Sequence, residues 1–161
     1  MSVRMKLVTL SAVVACAALA VPQGASAQQK KTRAVDATMK IAIFEQSEGA
    51  NHFAGRITGK PLGTAAVLGV ATVTNTPTGL ITESRPTLYY KRGTLRIKAT
   101  DVVEFQPDGS ITFTGTSEIL GGTGRYKGAT GRGTFNGALP PGSSVTVGTV
   151  VTFHLGGMIR Y

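Results

Sequence analysis

The stretch from Gly93 to Leu120, GTLRIKATDVVEFQPDGSITFTGTSEIL, decides the fold. In its first half Leu95, Ile97, Ala99, Val103 and Phe105 share one parity, while Arg96, Lys98 and Glu104 share the other. Successive side chains of an extended chain point to opposite sides, so a period of two predicts a strand with one dry face and one wet face. Pro107-Asp108-Gly109 supplies a turn, since proline presets φ and glycine accepts a positive φ. SITFTGTSEIL is the return strand, and the two make a hairpin. Asp101 has the parity of the apolar set, which puts its carboxyl on the dry side unless a bulge near Ala99-Thr100-Asp101 turns it outward. Buried there, it would have a raised pKa and could act as acid or base.

The same logic extends in both directions. The runs TMKIAIFEQ from Thr38, GTAAVLGVATVTNT from Gly63, LITESRPTLYYKR from Leu80 and RGTFNGAL from Arg132 are rich in β-branched and aromatic residues and are separated by Gly, Pro, Asn and Asp. The last run, SVTVGTVVTFHLGGMIRY from Ser144, sets Val145, Val147, Val151, Phe153 and Leu155 on one face, with Thr146, Thr152 and His154 on the other, and a bend is expected at Gly156-Gly157. Seven or eight strands in one all-β domain over residues 38–161 need a way to deal with sheet edges. A single closed or nearly closed antiparallel barrel of about eight strands does this, with a β-sandwich as the alternative. Glycines within strands, at Gly69, Gly115, Gly133 and Gly148, favour the barrel, because tight curvature needs small residues.

Upstream of Thr38 the chain changes character. MSVRMK is a short basic head, LVTLSAVVACAALAV is an apolar run ended by Pro22, and ASA precedes Gln28, which together read as a signal peptide over residues 1–27. The run is too short to span a bilayer as a helix. A secreted or periplasmic location follows, the alternative being a lipoprotein acylated at Cys16. Residues 28–37, QQKKTRAVDA, read as a disordered basic lead-in. Cys16 is the sole cysteine, so a chain cut after Ala27 holds no disulfide, no thiolate metal site and no cysteine nucleophile. Seventeen Lys and Arg against eight Asp and Glu give +9, which falls to +7 once Arg4 and Lys6 leave with the leader. Anionic partners are favoured, and Lys91, Arg92, Arg96 and Lys98 offer a basic patch for envelope phosphates or acidic glycans. Nucleic acid is not expected: the leader argues for export, and with no Trp and few aromatics there is no stacking platform.

The glycine-rich segment LGGTGRYKGATGRGTF, Leu120 to Phe135, raises a second question. A dinucleotide fingerprint needs G-x-G-x-x-G opening a helix, but here the glycine after Gly122 and Gly124 falls at 128, and no helical pattern follows. The single Gly-Lys pair, Gly59-Lys60, is followed by proline and is no P-loop. The segment therefore reads as turn chemistry. His52, in an expected loop, and His154 have no partner at metal-ligand spacing, and no G-x-S-x-G is present, so neither a metal centre nor a serine hydrolase is expected.

The run G-G-T-G-R-Y-x-G-A-x-G-x-G, from Gly121 to Gly133, resembles the V-G-G-T-G-x-F-x-x-A-R-G segment of dirigent proteins, relatives of the allene oxide cyclases. The resemblance covers Gly93 to Phe135. It implies a cofactor-free eight-stranded barrel in a bacterial secreted protein, with a lumen for a small apolar or phenolic ligand and assembly as a homotrimer. Chemistry carries over less well. Thr130 stands where the dirigent A-R-G element has arginine, and the mature chain lacks the cysteine that the cyclases use. Ligand binding is thus expected from Tyr89, Tyr90, Asp101, Arg125 and Tyr126. The alternatives are a cyclase or isomerase that guides a reactive intermediate, with Asp101 and a lumen tyrosine as acid and base, and a non-catalytic surface protein that binds anionic envelope material.

Overall fold

The computed structural model describes residues 30–77 and 79–161, so the expected signal peptide, the cleavage site and Cys16 lie outside the described residues. Nine strands run in order: β1 (Thr32–Ser47), β2 (Ala50–Lys60), β3 (Gly63–Thr76), β4 (Gly79–Ser84), β5 (Thr87–Tyr90), β6 (Gly93–Phe105), β7 (Ile111–Gly122), β8 (Thr130–Leu139) and β9 (Val150–Arg160). Every pairing is antiparallel. β4 and β5 both lie between β3 and β6 and are halves of one strand interrupted at Arg85-Pro86. Proline has no N–H for the ladder, which explains a break at that point. The other strands pair with their sequence neighbours, and β9 returns to β1 from Thr32↔Arg160 to Ala42↔Val150. The result is an eight-position up-and-down barrel that leaves no edge, as expected, and not a sandwich.

Two ends follow from this meander. The turns β2–β3, β5–β6 and β7–β8 and the start of β1 lie at one end, and the turns β1–β2, β3–β4, β6–β7 and β8–β9 at the other. The decisive hairpin forms as the pattern requires. Leu95, Ala99, Asp101 and Val103 point inward, and the one register shift on β6 falls at Arg96/Ile97 rather than beside Asp101. The Pro107-Asp108-Gly109 turn is present, with Gly109 at φ 81 and Ser110 donating to Asp108 Oδ1 at 2.9 Å through its backbone N–H.

Four expectations are corrected. The lead-in is strand from Thr32: its polar residues Thr32 to Ala37 pair backbone to backbone with Arg160 to Leu155, so ladder bonds order it without an apolar period. His52 stands on β2, opposite Glu45 and Val70, not in a loop. Phe105, at the end of β6, is 62% exposed, because the barrel wall ends there and no facing strand covers it. The last strand starts at Val150. Residues 143–149 are a loop turned by Gly148 at φ 93, which leaves Val147 exposed and Val145 half-buried. From Val150 β9 runs through Gly156-Gly157 as one strand.

Candidate functional site

The interior is filled at one end and hollow at the other. At the β7–β8 end, Leu88, Leu95 and Ile159 are essentially inaccessible, with Ile57, Ala129 and Tyr126 packed around them. The glycine segment builds this plug. After β7, Thr123 turns the chain and Gly124–Tyr126 forms one 3-10 turn. The Arg125 N–H donates to the Arg92 carbonyl at 2.8 Å, and Thr94 and Thr123 exchange a hydroxyl bond at 2.9 Å. This tie lays the corner across the β5–β6 turn so closely that a Cβ on Gly93 or Gly124 would land on backbone. Tyr126 is thereby driven into the barrel end, 5.0 Å from the Tyr90 ring and 5.3 Å from that of Tyr161. Burial, and then the neighbouring Tyr126 and Tyr161, push the Tyr90 hydroxyl far above the usual phenol range. Arg125 and Arg33 lie over the Tyr161 ring at 5.3 and 5.6 Å.

The hollow part is a cavity of about 320 Å³ towards the opposite end. Its cause is a belt of small residues in register across five strands: Ala71 on β3, Ser84 on β4, Ala99 on β6, Ser117 on β7 and Gly133 on β8. Interiors normally pack to crystal density, and an eight-stranded barrel can either fill itself or hold one small ligand. Here the belt leaves the space open. The next row towards the mouth is Thr82, Asp101, Gly115 and Phe135. Gly115 is required, since a Cβ there would meet the Phe135 ring at 2.5 Å and Asp101 Cβ at 2.7 Å.

Asp101 lines this cavity and is 7% exposed. Among the described residues nothing donates a hydrogen bond to it, and it is the sole Asp, Glu, Lys, Arg or His in the lining. Burial raises its carboxyl to about 6, where a hydrogen-bonded or ion-paired carboxylate would be lowered. Thr82, Ser84 and Ser117 place hydroxyls on the same wall, while Met39, Ile41 and Ile43 on β1 form the facing wall. Phe113, Phe135 and Phe153 add edge-to-face contacts with centroids 5.6 Å apart. An apolar chamber with one carboxyl can bind a compact organic molecule and can give or take a proton at a single point.

Of the expected binding residues, Asp101 alone lines the cavity. Tyr89 points outward and is 47% exposed. Tyr90 and Tyr126 are plug residues at the closed end, and Arg125 covers Tyr161 there. The basic patch also divides: Lys98 pairs with Glu83 at 3.1 Å, and this lysine holds the Glu83 carboxyl below its ordinary value. Sequence reasoning missed Thr82, Ser84, Ser117 and Phe53. The inward parity of Thr82, Ser84 and Ser117 was readable, that of Phe53 was not, and their meeting at one chamber depends on the register between strands.

No protein-family model matches the chain, and no curated protein matches it. Among solved structures the chain is similar to the pterocarpan synthase dirigent protein GePTS1, at 13% identity over 86% of this chain and 94% of that one, with a TM-score of 0.49. It is also similar to a pyocyanin demethylase, at 18% identity over 79% of this chain and 99% of that one, with a TM-score of 0.43.

Proposed function

We propose that this protein acts outside the cytoplasm as a small-molecule binder, holding a compact apolar or phenolic ligand in the barrel lumen. The observation that carries the reading is the chamber of about 320 Å³, kept open by the small-residue belt and marked by a single carboxyl. Ligand pockets usually begin at about 300 Å³. N-phenyl-1-naphthylamine, a neutral fluorophore whose emission rises in apolar surroundings, is the direct probe. The native protein should take it up with 1:1 stoichiometry. Ala99→Phe places a ring in the middle of the chamber and should weaken uptake by at least about tenfold, the loss of roughly 1.4 kcal/mol of binding, without lowering the unfolding midpoint. Equal uptake by both forms would refute the lumen as the site.

A second reading, docking to an anionic surface, is favoured by charge placement. The closed-end segments 30–35, 58–64, 88–95, 120–132 and 157–161 hold ten Lys and Arg and no Asp or Glu. We infer that this end rests on anionic phospholipid, where each cation near the surface contributes about 1 kcal/mol. Phosphatidylglycerol vesicles should sediment the protein at low ionic strength and release it as salt screens the contact, while phosphatidylcholine vesicles should not bind it. Binding to both lipids alike would contradict this.

A further inference from the structure

The open end has the opposite electrostatic character to the plug. Its segments 44–52, 72–81, 104–112 and 138–150 carry four acidic residues, Glu45, Glu48, Glu104 and Asp108, and no Lys or Arg. Asp101 lies inside, in a chamber otherwise lined by uncharged groups. The mouth of the chamber is lined by neutral groups such as Gln46, Ser47 and Asn51, with the four carboxylates exposed around that end, so a ligand entering there meets no Lys or Arg before it reaches a carboxyl that nothing among the described residues pairs. An unpaired carboxylate in an apolar chamber is costly, and a cation placed against it repays that cost. A ligand carboxylate would instead add a second like charge in the same low-dielectric space.

Resting on the lumen-binding reading above, we propose that the natural ligand carries a basic nitrogen: its aromatic or alicyclic body fills the chamber and its ammonium group pairs with Asp101. The groups beside Asp101 leave room for this pairing. Thr82 on β4 and Gly115 on β7 are its cross-strand neighbours, and no titratable group from either strand faces it. On the outer face of the wall, Glu83 of β4 pairs with Lys98 of β6 at 3.1 Å and with Arg85 at 3.5 Å. Phe113, Phe135 and Phe153 supply π-faces close to the chamber, which also favour a cationic group over an anionic one.

Three probes of one shape separate the possibilities: 1-naphthylmethylamine, 1-naphthylmethanol and 1-naphthoate, each titrated against the native protein by calorimetry at pH 7.5. The amine should bind at least about tenfold more tightly than the alcohol, the worth of one charge-assisted bond, and the carboxylate should bind weakest. Asp101→Asn should erase the amine's advantage, so that amine and alcohol bind the variant with affinities within about twofold of each other. If the alcohol binds as well as the amine, the basic-nitrogen proposal is overturned while the lumen reading stands. If none of the three binds, the lumen reading falls and the proposal with it.

Discussion

Gly124→Ala should destabilise the barrel by about 3 kcal/mol, a large part of the roughly 5–15 kcal/mol that holds a domain of this size together. Two costs combine. Gly124 has φ 56, in the left-handed region that costs other residues about 1–2 kcal/mol. In addition, its Cβ would land on the Arg92 carbonyl and lie 3.1 Å from Gly93 Cα, so the crossing of the two closed-end turns must open. That crossing seats Tyr126 in the plug. Gly142→Ala separates the two costs, because Gly142 has φ 81 and nothing within 4 Å of the added atom. It should lose about 1 kcal/mol. Urea unfolding of both variants checks the difference, and equal losses would show that the crossing contributes nothing.

The second large effect is at Asp101 and depends on pH. Its ordinary value is 3.8, and burial raises it to about 6 in the folded protein. The folded state therefore holds the proton more tightly than the unfolded chain, and stability falls as pH rises between these values. Below about pH 3.8 both states are protonated and no cost is felt; above about pH 6 the full cost is present. At about 1.36 kcal/mol per pH unit this is about 3 kcal/mol. Asp101→Asn removes the charge and keeps the shape. It should be more stable than the native protein by about that amount at pH 8, with the gap closing as pH falls towards 4. A gap that stayed constant across this range would mean that folding leaves the carboxyl unshifted, as for a solvated group.

The readable parts of the sequence were those where one strand face is wet and the other dry. The hairpin from Gly93 to Leu120 was legible for that reason, and with it the inward carboxyl of Asp101. Strand β2 was hidden, because Gly55 and Gly59 share the inward parity of Phe53 and Ile57 and blur the alternation. Tyr126 read as a ligand-binding residue of the glycine segment, not as part of a plug. Its burial comes from the crossing of two turns distant in sequence, which no local pattern encodes. Val145 and Val147 alternate as a strand would, yet Gly148 turns the backbone and the ladder starts two residues later. The chamber itself needs the register: Ala71, Ser84, Ala99, Ser117 and Gly133 are unremarkable singly and make a cavity only when aligned. The split of charge between the two ends likewise becomes visible only once each turn is assigned to an end.

The most direct measurement of the central claim is a crystal structure of the protein grown with N-phenyl-1-naphthylamine. The account expects the naphthyl and phenyl groups inside the barrel, bounded by Phe53, Phe113 and Ile41, with one edge against Asp101. A lumen closed by its own side chains, with the fluorophore absent or bound on the outer wall, would contradict it.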